Sequence, residues 1–142
     1  MDFLNLPLHP MLVHFPIALF IIALVAEVLS RITKIESLHH CAQYLYVLAA
    51  IVAPFVVLTG LREADELHLH HPVVELHEKF GLLTMWTSLV SLPILWLFKK
   101  KMARHFRLVF LIFLVLIVTS VVLGAHYGGR LVYEYGIGTE SE

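Results

Sequence analysis

Four apolar runs, each long enough to cross a lipid bilayer, limit what this chain can become. They are approximately Met11–Ile32, Cys41–Leu61, Val73–Phe98 and Phe106–Ala125. A helical span takes about 20 mostly apolar residues, and a helix satisfies every backbone N–H and C=O where no water is available. The 142 residues are 59% hydrophobic and 15% charged, with a mean hydropathy of +0.84, unlike an ordinary soluble domain. The connections between the runs are too short to form a separate domain. The expected fold is therefore an all-α integral membrane four-helix bundle. One domain covers residues 1–142, with the tail 126–142 lying at the interface. The first run lacks a basic start and a clean small-residue cleavage site, so it reads as a span and not as a removed leader.

Charge sets an expected orientation. Arg31, Lys34, Lys99, Lys100, Lys101, Arg104 and Arg107 follow spans one and three, while only Arg62, Lys79 and Arg130 lie on the other side. The positive-inside rule puts the first group in the cytoplasm and both termini outside, which is the periplasm if the source is a Gram-negative bacterium. Glu63, Asp65, Glu66, Glu75, Glu78 and Glu134 gather on that outer side. Glu27 and Arg31, one turn apart, read as a snorkelling interfacial pair, and His39 and His40 as residues of the inner headgroup layer. The net charge of −1, with no basic patch beyond the membrane flanks, argues against nucleic acid as a partner. The single Cys41 excludes an internal disulfide or a cysteine metal cage. Ser88, Ser91 and Ser120 lie in apolar runs with no adjacent base, and Gly136-Ile-Gly138 is too little for a nucleotide loop. Neither hydrolase nor nucleotide-dependent chemistry is indicated.

Histidine is the residue type that stands out. Orientation places His9, His14, His68, His70, His71, His77 and His126 together at the outer face. Two echoes suggest a duplication: His9-Pro-Met-Leu-Val-His14 against His71-Pro-Val-Val-Glu-Leu-His77, and Val56-Val-Leu-Thr-Gly60 against Val121-Val-Leu-Gly124. They imply two helical hairpins of similar length, related by a pseudo-twofold axis along the membrane normal. On that alignment His14 and His77 are mates on diagonal helices, each followed one turn later by a small residue, Ala18 or Gly81. Pro16 breaks or bends the first span, and Pro54 and Pro93 predict kinks. Gly128-Gly129 predicts the cap ending span four just after His126, with Leu131–Gly138 as a strap over the mouth.

An imidazole one turn inside a membrane helix is costly without a partner, and three readings supply one. In the first, His14 and His77 are axial ligands of a b-type haem in electron transfer, with Ala18 and Gly81 leaving room for it. In the second, a transition-metal ion such as zinc, copper or iron is held by some of His9, His14, His71, His77 and His126, with Asp65 completing the shell. In the third, the imidazoles bond backbone carbonyls freed near Pro16 and Pro72, and the chain is a structural subunit. The bilayer is the one certain partner. A quinone or a redox protein suits the first reading, and homodimerisation stays open.

His9-Pro-Met-Leu-Val-His-Phe-Pro-Ile-Ala-Leu19 and Gly128-Gly-Arg-Leu-Val-Tyr-Glu-Tyr-Gly-Ile-Gly138 resemble the two end motifs of a family of small four-span bacterial membrane proteins without an assigned activity. His77 matches in place, and Thr139 departs from the valine common after the second motif. The resemblance runs the length of the chain. It implies a four-helix bundle in a bacterial inner membrane, with His9, His14, His77 and the glycine-rich end as working parts.

Overall fold

The computed structural model describes residues 8–66, 71–101 and 103–137. His68, His70, Gly138 and Thr139 lie outside them. The described residues form helices and no strand: α1 (Leu8–Leu12), α2 (His14–Thr33), α3 (Glu36–Glu66), α4 (Pro72–Lys101) and α5 (Ala103–Tyr133). Four helical stretches are long and apolar enough to span a bilayer: His9–Thr33, Glu36–Glu66, Pro72–Lys101 and His105–Tyr133.

Each boundary has a local cause. Pro16 has no N–H to offer the preceding turn, and the helix is interrupted just before it, at Val13. The link from α2 to α3 turns at Lys34, whose φ of 61° is left-handed, as at many helix C-termini. Pro72 opens α4, where its missing N–H costs nothing, and the Val73 N–H donates to His71 Nδ1 at 3.2 Å. Both α3 and α4 continue through Pro54 and Pro93.

The end of α5 differs from the sequence expectation. Gly128 and Gly129 do not cap the helix, which runs through them to Tyr133. The left-handed glycine is Gly136, with a φ of 65°, and the Ile137 N–H returns to the Leu131 carbonyl at 2.9 Å. Of the segment expected as a strap, Leu131–Tyr133 end α5 and residues 134–137 form a turn after it. That segment still covers the start of α4, since Leu131 packs on Val73 and Val74 with Ala64, Tyr127 and Ile137 beside them.

The helices form two hairpins, α1–α3 and α4–α5, packed more closely within than between. The hairpins meet along α3–α4 and α2–α5, so α2 and α4 are diagonal. Ala42, Tyr46, Ala49, Ala53 and Val56 line the buried face of α3 at three- and four-residue spacing. Small residues there and at Ala23 and Ala26 of α2 let those two backbones approach. On α5, Phe106, Phe110, Leu114, Ile117 and Val121 fill the resulting space. Ile22, Phe55, Trp86, Val90 and Leu116 remain exposed, as expected where the surroundings are hydrocarbon.

Candidate functional site

Two imidazoles meet at one end of the bundle, and they are His9 and His77. Their ring centroids are 5.9 Å apart and their planes are 81° from parallel. Each ring is held by its own hairpin. His9 Nδ1–H, from α1, donates to the Val56 carbonyl of α3 at 3.0 Å. His77 Nδ1–H, from α4, donates to the Gly124 carbonyl of α5 at 2.9 Å. A carbonyl can only accept, so both Nδ1 atoms carry the proton and both Nε2 atoms keep a lone pair. This is the arrangement that orients a histidine ligand, with one nitrogen tethered to a backbone acceptor and the other free to bind.

Glycine makes the approach possible. A Cβ at Gly60 would lie 2.8 Å from His9 Cε1 and Nδ1, and a Cβ at Gly128 would lie 3.0 Å from His77 Cε1. Each ring therefore rests on a glycine one turn beyond the carbonyl it bonds. Thr59 donates to the same Val56 carbonyl at 2.7 Å, which helps to define the His9 seat. The two bonds span equal lengths of chain. One and the same offset carries His9 onto His77, Val56 onto Gly124 and Gly60 onto Gly128. The two histidine seats thus repeat in geometry, in a register slightly longer than that of the sequence echoes.

That register corrects the pairing. His77 faces His9, where the echoes matched it to His14. His14 is exposed, with Nδ1–H donating to the Pro10 carbonyl at 2.9 Å in its own helical turn. Ala18 is exposed, and a Cβ at Gly81 would meet Val57 Cγ2 at an ordinary 3.9 Å, so the glycines that seat the imidazoles are Gly60 and Gly128. His71 caps α4 and lies against Tyr135, ring centroids 4.3 Å apart, and its Nδ1 accepts where those of His9 and His77 donate. His126 is exposed, edge-on to Tyr127 beside a shallow open groove, and Asp65 is exposed near the end of α3. Among the described residues, no three of His, Cys, Asp and Glu converge as a metal site.

The opposite end holds a cluster missed in the sequence. Glu27, expected to snorkel, is fully buried. Its Oε1 meets Arg31 Nε at 3.1 Å and Arg107 Nε at 3.8 Å, and its Oε2 accepts from His39 Nδ1–H. Arg107 also reaches Glu36 at 3.1 Å and Ser30, while Arg31 donates to the Arg107 backbone carbonyl. Two guanidinium groups and an imidazole N–H face the Glu27 carboxylate, which is what lets it be buried. The offset that carries His9 onto His77 also carries His39 onto Arg107, a signal visible in the sequence only once the correct register is known.

Fold and site together define a membrane protein of two helical hairpins, with paired histidines at one end and a buried ion cluster at the other. The chain belongs to the family described as "Predicted membrane protein (DUF2231)", whose model matches residues 5–141. Comparison with curated proteins and with solved structures gives no match.

Proposed function

We propose that this chain binds one b-type haem between its hairpins, with His9 and His77 as the axial ligands, and that it serves in electron transfer. The observation that carries the proposal is the matched pair of Nδ1–H bonds to the Val56 and Gly124 carbonyls, which leaves two Nε2 lone pairs on neighbouring rings from different hairpins. Two imidazoles on one metal, at about 2.1 Å per metal–nitrogen bond, put ring centroids roughly 6 Å apart. An isolated zinc or copper ion needs further protein donors, and no third one joins the pair among the described residues. A porphyrin brings four donors of its own, so two histidines complete the iron.

The bound group supplies one-electron exchange. The protein fixes both Nδ1–H groups through backbone carbonyls and presents one ring from each hairpin. Charge bias puts this end on the outer side of a bacterial inner membrane, with both termini periplasmic. A membrane quinone or an outer redox protein is the corresponding partner.

Absorption spectroscopy of protein purified in mild detergent, before and after addition of haem b, tests the proposal. A six-coordinate low-spin spectrum is expected. His9→Ala and His77→Ala should each abolish it, while His14→Ala and His126→Ala should keep it. Loss in His14→Ala with retention in His9→Ala would restore the pairing drawn from the echoes. No visible absorption, with one tightly held zinc or copper ion, would replace haem by a metal-ion site. Folded protein with neither would leave the histidines a structural role.

A further inference from the structure

The polar contacts between the two hairpins are unevenly placed. Among the described residues, they all lie toward the end that holds Glu27. Arg107 of α5 bonds Ser30, Glu27 and Glu36 of the first hairpin, and Arg31 bonds the Arg107 carbonyl. Lys99 Nζ donates to Gln43 Oε1 at 2.8 Å. Tyr46 O–H bonds Ser91 Oγ, and Ser91 Oγ in turn donates to the Ser88 carbonyl at 2.7 Å. Phe110 packs against both His39 and Tyr46, with ring centroids at 5.9 and 5.3 Å. Every one of these contacts between hairpins joins residues 27–46 to residues 88–110.

The histidine end is different. His9 and His77 each spend their Nδ1–H on their own hairpin, and the rings meet only edge to face. No Cα of α1 comes within 8 Å of a Cα of α4 or α5 among the described residues. On one side of this end, Ala64 of α3 packs with Val73 and Val74 of α4 and Leu131 of α5. The α1–α5 corner has neither a covalent link nor, among the described residues, a hydrogen bond between hairpins.

We infer that the hairpins pivot about the Glu27–Arg31–His39–Arg107 latch, and that the α1–α5 corner is the gate through which a planar ligand dissolved in the membrane reaches His9 and His77. The ligand's identity rests on the haem proposal; the hinge does not. Parting the hairpins at that end breaks the Arg107 bonds to Glu27, Ser30 and Glu36 and the Tyr46–Ser91 bond, although Glu27 keeps Arg31 and His39 of its own hairpin. Parting His9 from His77 breaks no hydrogen bond, since each ring keeps its backbone bond within its own hairpin. The cheap motion therefore opens the histidine end and leaves the latch closed. Opening widens the corner without breaking either Nδ1–H bond, so the two ligands stay preset while they separate.

Distances between spin labels in lipid nanodiscs test the hinge. Exposed Cys41 is first replaced by alanine to remove the native thiol. One label pair reports the corner, Met11→Cys with Ala125→Cys, and another reports the latch end, Ile32→Cys with Leu108→Cys, all at exposed positions. Without haem, the corner pair should give a broad distance distribution and the latch pair a narrow one. Added haem b should narrow the corner and leave the latch pair unchanged. In the Glu27→Leu background the latch pair should broaden. A corner distribution as narrow as the latch in haem-free protein overturns the hinge, and so does equal breadth at both ends. A broad corner that haem fails to narrow, in protein that takes up no haem, retains the hinge and removes the haem reading.

Discussion

The two ends of this bundle solve the same problem in opposite ways. Each must hold polar side chains inside a structure surrounded by hydrocarbon. At one end, Glu27 is fully buried and its charge is met by Arg31, Arg107 and the His39 N–H, drawn from α2, α5 and α3. At the other end, His9 and His77 are half-buried, and each is satisfied by a backbone carbonyl within its own hairpin. The first arrangement ties three helices together and leaves nothing to give a ligand. The second ties each ring locally and keeps one nitrogen in reserve. In the register that relates the hairpins, the mate of His39 is an arginine, Arg107, whereas the mate of His9 is another histidine, His77. One scaffold is thus symmetric where a ligand could sit and asymmetric where the hairpins are locked.

Substitutions can separate these roles, and the largest effect is expected at the latch. Glu27→Leu leaves two arginines without their buried partner and should lower stability by about 3 kcal/mol, the low end for a broken buried pair because both guanidinium groups can turn toward the headgroups. Thermal unfolding in detergent measures it, and a change under about 1 kcal/mol would mean that the cluster is no latch. Next comes the imidazole seat. Gly60→Ala puts a methyl 2.8 Å from the His9 ring and should cost about 1–3 kcal/mol or push the ring off the Val56 carbonyl. Gly128→Ala, with its closest approach at 3.0 Å, should have the same effect at His77 and a smaller one. If both variants keep wild-type stability and ligand content, the rings are not seated as described.

Tyr46→Phe should be milder, about 0.6–1 kcal/mol, since it removes one hydrogen bond between hairpins while Ser91 keeps its bond to the Ser88 carbonyl. Destabilisation as large as that of Glu27→Leu would extend the latch to the middle of the membrane. The smallest effect belongs to Gly129→Ala. Nothing lies within 4 Å of the added methyl and the residue is helical, so the change should be neutral or stabilising by up to about 1 kcal/mol. Marked destabilisation there would restore the chain stop that the sequence suggested at this glycine pair.

Much of the architecture could be read directly, because a bilayer leaves so few options. Apolar length by itself produced four spans and an all-α bundle, and the small residues and aromatic rows followed helical spacing. Pro16 and Pro72 marked helix starts through their missing N–H. The Glu27–Arg31 contact was visible as a one-turn pair, and His9 and His77 were both among the residues singled out. What the sequence could not decide was which distant groups meet. Local echoes aligned His14 with His77 because His-Pro is a conspicuous pattern. The structure aligns His9 with His77, because the register is set by where a ring can reach a carbonyl beside a glycine on a neighbouring helix. Gly128 looks like a cap in the sequence and acts as a seat, since the absence of a side chain serves either purpose and only the facing helix shows which. Burial of Glu27 is likewise a tertiary fact. A carboxylate near a span's end can snorkel or be enclosed, and enclosure required Arg107 and His39 to arrive from α5 and α3. Hydrophobic length is a property of a segment and is written in the segment, whereas contact between helices depends on how far each is rotated and raised against the next, which no single segment records.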